Sequence, residues 1–170
     1  MIGFAKLDSD TLSFVFVASN SSKVPIDLDS IPTFRIYGPD GAYVSGSAGA
    51  CTEANTGTIT AASNATPIVI TSASHGLTNN MRLRVRSVGG NTAANGLWKV
   101  ANVATNTFEL SGSNGNGTYT SGGTWHAAGL YAVSVTPTEA AGYTEGTYTI
   151  VVSGETGSVS WSQEFRFEVV

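Results

Sequence analysis

The sequence predicts an all-β protein, on three observations. Apolar residues recur with period two along most of the chain, as in strands with one buried face. Glycine (20 of 170 residues), threonine and serine are abundant, and they favour strands and turns over helices. Hydrophobic residues make up 41% of the chain and charged residues only 12%. The chain therefore has the apolar content for a packed core, with far less charge than the ~25% usual in soluble domains.

The strands follow in order. Phe14-Val15-Phe16-Val17 is a short apolar run that reads as a strand buried on both faces. Phe34 and Ile36 alternate with Arg35 and Tyr37, and Gly38-Pro39-Asp40-Gly41 then supplies a turn into Ala42-Tyr43-Val44. In the middle of the chain, strands are expected at 67–71, 81–88, 96–103 and 107–110, with a hairpin over 118–126. Turns at His75-Gly76, Gly89-Gly90-Asn91 and Ser113-Asn114-Gly115-Asn116-Gly117 separate them. Alternation returns at 130–135 and 148–152. It is longest at the C-terminus, where Trp161, Phe165, Phe167 and Val169 share one face and Ser160, Ser162, Glu164, Arg166 and Glu168 the other.

Charge divides the chain into two parts. Residues 52–126 carry Arg82, Arg84, Arg86 and Lys99 against Glu53 and Glu109, a net of +2. The flanks carry four basic residues against ten acidic ones, a net of −6. The five middle strands are expected to form a small barrel, because closure removes exposed edges. Neither flank alone has the strands for a two-layer core. Residues 1–51 and 127–170 are therefore expected to form one immunoglobulin-like β-sandwich, split by the inserted barrel of residues 52–126.

Composition also bears on function. A net charge of −4 and a pI near 5.0 argue against a nucleic-acid binder. The single cysteine, Cys51, forms no internal disulfide and supplies no cysteine-rich zinc site. The N-terminus has no apolar signal-peptide stretch, and no apolar run approaches the ~20 residues that span a bilayer. No membrane partner and no cofactor are expected.

The middle segment carries a resemblance. Ile70-Thr71-Ser72-Ala73-Ser74-His75-Gly76-Leu77-Thr78-Asn79 is followed by Arg84-Val85-Arg86-Ser87-Val88-Gly89-Gly90-Asn91-Thr92-Ala93-Ala94-Asn95-Gly96-Leu97-Trp98-Lys99-Val100. Then come Asn106-Thr107-Phe108-Glu109-Leu110 and Tyr119-Thr120-Ser121-Gly122-Gly123-Thr124-Trp125. Over residues 60–126 this resembles a small β-barrel module of bacteriophage tail and other virion proteins. That module is named for its similarity to the first catalytic-cysteine half-domain of ubiquitin-activating enzymes. Cys51 lies outside the matched region, so no catalytic cysteine is carried over. The resemblance implies a virion context and a structural or adhesive role. The flanks, with Gly142-Tyr143-Thr144-Glu145-Gly146-Thr147-Tyr148 before the last strand, resemble immunoglobulin-like domains of phage structural proteins.

Few residues invite chemistry. His75 and His126 lack the partners of a catalytic triad and are expected to be structural. Cys51 has no charged activating neighbour in sequence. Asp8-Ser9-Asp10 and Asp27-Leu28-Asp29 lack the continuation of a calcium loop and read as turns, so no metal site is expected. Arg82, Arg84 and Arg86 alternate with Met81, Leu83 and Val85, which puts three guanidinium groups on one face of one strand. This is a candidate surface for an acidic neighbouring subunit. Trp98 and Trp125, with Tyr119 and Phe108, are candidates for stacking on a glycan, although such residues more often fill a core.

The sequence reading is thus a non-enzymatic component of a tailed-phage virion, made in the host cytoplasm. A minor tail or tail-associated protein ranks first and a head decoration protein second, with a carbohydrate-binding adhesion module as the alternative. Its expected partners are other virion proteins, including copies of itself.

Overall fold

A computed structural model of the chain describes residues 2–170. Strands hold 46% of the residues and helices 4%, so the protein is all-β. The chain divides into two compact units. The first comprises Met1–Thr52 and Tyr131–Val170, the second Glu53–Leu130.

The first unit is built on a five-stranded sheet and a three-stranded sheet. The larger has the order β1 (Ile2–Ala5), β15 (Val159–Val169), β14 (Gly146–Thr156), β3 (Thr33–Tyr37), β4 (Gly49–Ala50). Its spine is the β14–β15 hairpin, paired from Gly146 opposite Val169 to Thr156 opposite Val159. Alternation decides which face it buries. Tyr148, Ile150 and Val152 of β14 and Phe165, Phe167 and Val169 of β15 all turn into the core. The smaller sheet has the order β2 (Leu12–Val17), β13 (Leu130–Val135), β5 (Thr52–Glu53).

Aromatic rings join the two layers. Phe16 lies 5.3 Å from Phe165 and stacks on Trp161 at 5.9 Å, and Phe14 lies 6.0 Å from Phe165. Tyr131 fills the space beneath Leu28 and accepts its backbone N–H at 3.2 Å. One expectation is corrected. β2 is not buried on both faces, because it lies at the edge of a sheet that packs on one side only. Phe14 and Phe16 face the core, while Val15 and Val17 are 59% and 42% exposed.

The second unit is a seven-stranded sheet that closes on itself. The order is β6 (Thr56–Thr58), β12 (Thr124–Ala127), β9 (Arg82–Arg86), β10 (Gly96–Ala101), β11 (Thr107–Leu110), β8 (Ile68–Thr71), β7 (Ala61–Ala62). The two outermost strands, β6 and β7, are successive parts of one bent segment. At the bend, Ile59 N–H donates to Gly123 O on one side and Thr60 N–H to Thr71 O on the other, each at 2.9 Å. The circuit is therefore complete, with no long free edge between β6 and β7. At the opposite corner β10 divides likewise: residues 96–99 pair with β9, and Val100 and Ala101 with β11.

Trp125 of β12 occupies the barrel interior and is 1% exposed. Its indole N–H donates to Ser72 Oγ at 2.9 Å, and Phe108 meets its ring edge-on at 6.1 Å. Gly57 stands directly opposite Trp125 in the ladder. A methyl group there would come within 2.6 Å of three indole atoms, so the position has room only for hydrogen.

The expected hairpin over 118–126 does not form. Only Thr124–Ala127 is a strand, and it pairs with β9 and β6 instead. The preceding Asn/Gly-rich segment is a loop held by side chains. Tyr119 donates its hydroxyl to Ile59 O at 3.2 Å and Gly122 O at 3.0 Å. Asn91, fully buried, donates to Ser63 O and accepts from Asn116 N–H. The loop can pass close to Gly90 because that residue has a positive φ of 76° and no side chain.

The units change over at Thr52/Glu53 and Leu130/Tyr131, against expected junctions of 51/52 and 126/127. The later second junction follows from β12 continuing as a ladder. Ala128 N–H donates to Arg82 O, and Ala54 N–H to Leu130 O.

The packing of Trp125 on Gly57 predicts that Gly57→Ala destabilises the protein by about 1–3 kcal/mol, the usual cost of overpacking. Urea unfolding followed by tryptophan fluorescence measures this. An unchanged midpoint would contradict the packing described.

Candidate assembly surface

β9 builds the surface by simple alternation. Leu83 and Val85 are buried in the barrel, while Arg82 and Arg86 are exposed and Arg84 half-buried on the outer side. Registration with the neighbouring strands completes the face. On β10, Lys99 lies opposite Arg82 and Leu97 opposite Arg84. On β12, His126 lies opposite Arg84 and Thr124 opposite Arg86. The three predicted arginines thus lie together, and Leu97 and Lys99 join them. Sequence reasoning missed these two because pairing between strands is not visible along one strand.

The electrostatics of the face are uneven. Glu53 matches Arg86 at 2.6 Å, and its other carboxylate oxygen lies 3.2 Å from Nδ1 of the buried His126. Glu53 therefore bridges an exposed cation and a buried ring. At the other end of β9, Arg82 and Lys99 are both exposed and directly opposite each other. Like charges at paired positions lower the stability of a sheet. Their cost falls when an anionic group approaches from outside.

The remaining candidates sit elsewhere. His75 is 6% exposed; its Nδ1 accepts Leu77 N–H at 3.1 Å, so Nε2 carries the proton toward Thr107 O at 3.3 Å. The ring also meets Phe108 edge-on at 5.2 Å and fastens the turn to the barrel core. The glycan-stacking assignment of Trp98 and Trp125 is corrected. Trp125 presents no face to solvent. Trp98 is half-buried on the inner side of β10, with its N–H donated to Ala94 O at 2.7 Å. Phe108 is fully buried, and the Tyr119 hydroxyl is held by two carbonyls.

Cys51 is 3% exposed, and burial pushes its thiol up to about 11. Asp10 serves a local turn, whereas Asp8 and Asp29 tie together segments distant in sequence. Asp10 accepts Lys6 N–H, Asp8 accepts Glu139 N–H, and Asp29 accepts Gly157 N–H. Among the described residues, no group of three His, Cys, Asp or Glu side chains is placed to hold a metal ion. No helix is long and apolar enough to cross a membrane.

One feature of the first unit went unnoticed in the sequence. An open cleft of about 780 Å³ lies between the Gly-Pro-Asp-Gly turn and the segment 140–148, which leads into β14, with Pro39, Asp40, Tyr43, Thr144, Glu145 and Tyr148 among its lining. Tyr43 is 45% exposed and meets Tyr37 edge-on at 6.2 Å. Within that segment, the buried Tyr143 packs on Tyr148 at 5.0 Å. Its hydroxyl is pushed up to about 12, chiefly by burial and then by the neighbouring Tyr148 and Tyr43. The two lining segments are about a hundred residues apart in sequence, so no local motif marks the cleft.

No protein-family model matches the chain, and no curated protein matches it.

Two outcomes follow from this geometry. Glu53→Ala removes a partner from the buried His126 and is expected to cost about 1–3 kcal/mol. Arg86→Ala breaks only the exposed half of the bridge and is expected to cost no more than about 1 kcal/mol. Denaturant titration of both variants checks the order, and equal costs would contradict it.

The second outcome concerns alkaline pH. The folded Cys51 and Tyr143 lie above their ordinary values of 9.0 and 10.0, so the folded state holds their protons longer than the unfolded chain does. Their contribution to stability is complete below about pH 9 and is lost as pH rises through about 11 and 12. The unfolding midpoint should fall over that window, and by less in Cys51→Ala. An identical fall in that variant would show that the thiol plays no part.

Proposed function

We propose that this protein is a non-enzymatic structural component of a tailed-bacteriophage particle, tail-associated in the first instance. It works by assembly contacts made through the outer face of its barrel. The observation that carries the reading is the Arg82–Lys99 pairing beside Arg84 and Leu97. It is an exposed, paired arrangement of like charge on the very segment that resembles the virion β-barrel module.

Three further features support it. Both histidines are engaged by the fold, His75 by the backbone and His126 by Glu53. The closed barrel is a rigid carrier, and a surface on strands holds its side chains more precisely than one on loops. The low charge and the abundance of Ser, Thr and Gly leave few long side chains to immobilise at a contact, which lowers the entropic cost of packing subunits together.

The test is compositional. Mass spectrometry of purified particles from phage encoding this chain should find it at a fixed ratio to the major structural proteins. The Arg82→Glu/Arg84→Glu variant should fold, as judged by circular dichroism, and be depleted from the particles. Absence of the wild-type chain from purified particles would overturn the virion reading, and undiminished incorporation of the variant would overturn the role of the arginines.

A further inference from the structure

We propose that the basic outer face of the barrel in one copy docks on the tyrosine-lined cleft of the first unit in a second copy, so that the chain self-associates head to tail. The inference rests on the assembly reading above and names the surface that receives the arginines.

Charge separates the two surfaces. The barrel unit carries a net +2 and the first unit a net −6. Within the first unit, the cleft bears the carboxylates of Asp40 and Glu145, and an adjoining hollow lined by Leu7, Tyr143 and Glu139 adds another. Asp40 already accepts Ala42 N–H through Oδ1 at 2.9 Å, so its carboxylate is oriented before any partner arrives. Docking places these carboxylates against Arg82 and Lys99, whose facing positive charges are otherwise uncompensated by pairing across the strands.

The shapes and chemical types also match. Tyr43 stands 45% exposed at the cleft, and an arginine guanidinium stacks on such a ring with about 0.5–2 kcal/mol of attraction, the higher figure once water is excluded. Arg82 and Arg84 are two residues apart on one strand, a spacing of about 6.6 Å, so both reach one depression together. Leu97, 37% exposed and opposite Arg84, supplies an apolar contact for Pro39 and Ala42 at the cleft mouth. A cleft of about 780 Å³ has room for side chains of this size. Because the two surfaces differ, the contact is heterologous. It leaves one face of each kind unused in every pair and propagates into a ring or a filament.

Sedimentation velocity of the intact chain tests the docking. The wild type should associate at ionic strength of about 0.01 M and dissociate progressively toward about 1 M. Arg82→Glu/Arg84→Glu and Glu139→Lys/Glu145→Lys should each weaken association about tenfold or more while keeping the wild-type circular dichroism spectrum. The decisive experiment mixes these two variants. Each then carries one native and one reversed surface that complements the other chain, so the mixture should recover association that neither variant shows alone.

A wild-type chain that stays monomeric at low salt would overturn the docking, as would a mixture that fails to recover. Unchanged association in Glu139→Lys/Glu145→Lys would also overturn the cleft as receiver while leaving the virion reading intact. Recovery in the mixture by a chain that is absent from purified particles would support the docking and sink the virion reading instead.

Discussion

The barrel unit depends on one inward-pointing indole. Trp125 fixes the register of β12, because in a strand the direction of one side chain determines that of every other. With Trp125 inside, Thr124 and His126 are outside, and pairing with β9 then places Arg84 and Arg86 on the same outer face. A slip of one residue in β12 would turn Trp125 out of the barrel and carry His126 inward. Gly57 makes the inward position possible by standing opposite without a side chain, and Ser72 satisfies the indole N–H. The interior contact thus sets the geometry of the exterior one. Truncating such a buried tryptophan costs about 3–5 kcal/mol, whereas a pair of like charges across a sheet costs only on the order of 0.2–1 kcal/mol. The core therefore has ample reserve to hold Arg82 against Lys99, and a surface that would not form for its own sake persists because the interior dictates it.

Much of this architecture was legible along the chain. Alternation in 159–169 is broken only at Gln163, and Phe165, Phe167 and Val169 are buried as that pattern requires. The same rule placed Leu83 and Val85 inward and the arginines outward. Reading failed where the determinant is not periodic. Phe14-Val15-Phe16-Val17 is apolar at every position, so its pattern says nothing about which face is covered. Its place at a sheet edge decides that, and this is a matter of tertiary pairing. The 118–126 segment reads as a hairpin in composition, but its first part is not a strand. That part, with the Asn/Gly-rich residues before it, is a loop because Asn91, Tyr119 and the carbonyls they bind offer its backbone partners other than a second strand. The short strands β6 and β7 lie in a Thr/Ala/Gly-rich stretch with almost no apolar signal, and their pairing is imposed by closure.

The candidate site divides along the same line. Its arginines alternate along a single strand and were visible. Lys99 and Leu97 join them only through the β9–β10 register, and Glu53 reaches Arg86 across thirty-three residues. The tryptophans illustrate the converse error. An aromatic residue reads identically in sequence whether it is a platform or a core, and only the inner-face position of Trp98 and the burial of Trp125 separate the two.

Glu53 has a wider consequence for how the surface works. A carboxylate shared between Arg86 and the buried His126 cannot be withdrawn without costing a buried polar ring one of its partners. Arg86 is therefore held, and that end of the β9 row is electrostatically closed. At the other end, no carboxylate stands at the paired position, where Lys99 faces Arg82 instead. The row is thus graded, compensated at Arg86 and repulsive at Arg82. An approaching carboxylate would relieve the most repulsion at the Arg82 end. A symmetric row of exposed arginines would attract any acidic surface in several registers. A graded one favours a single register.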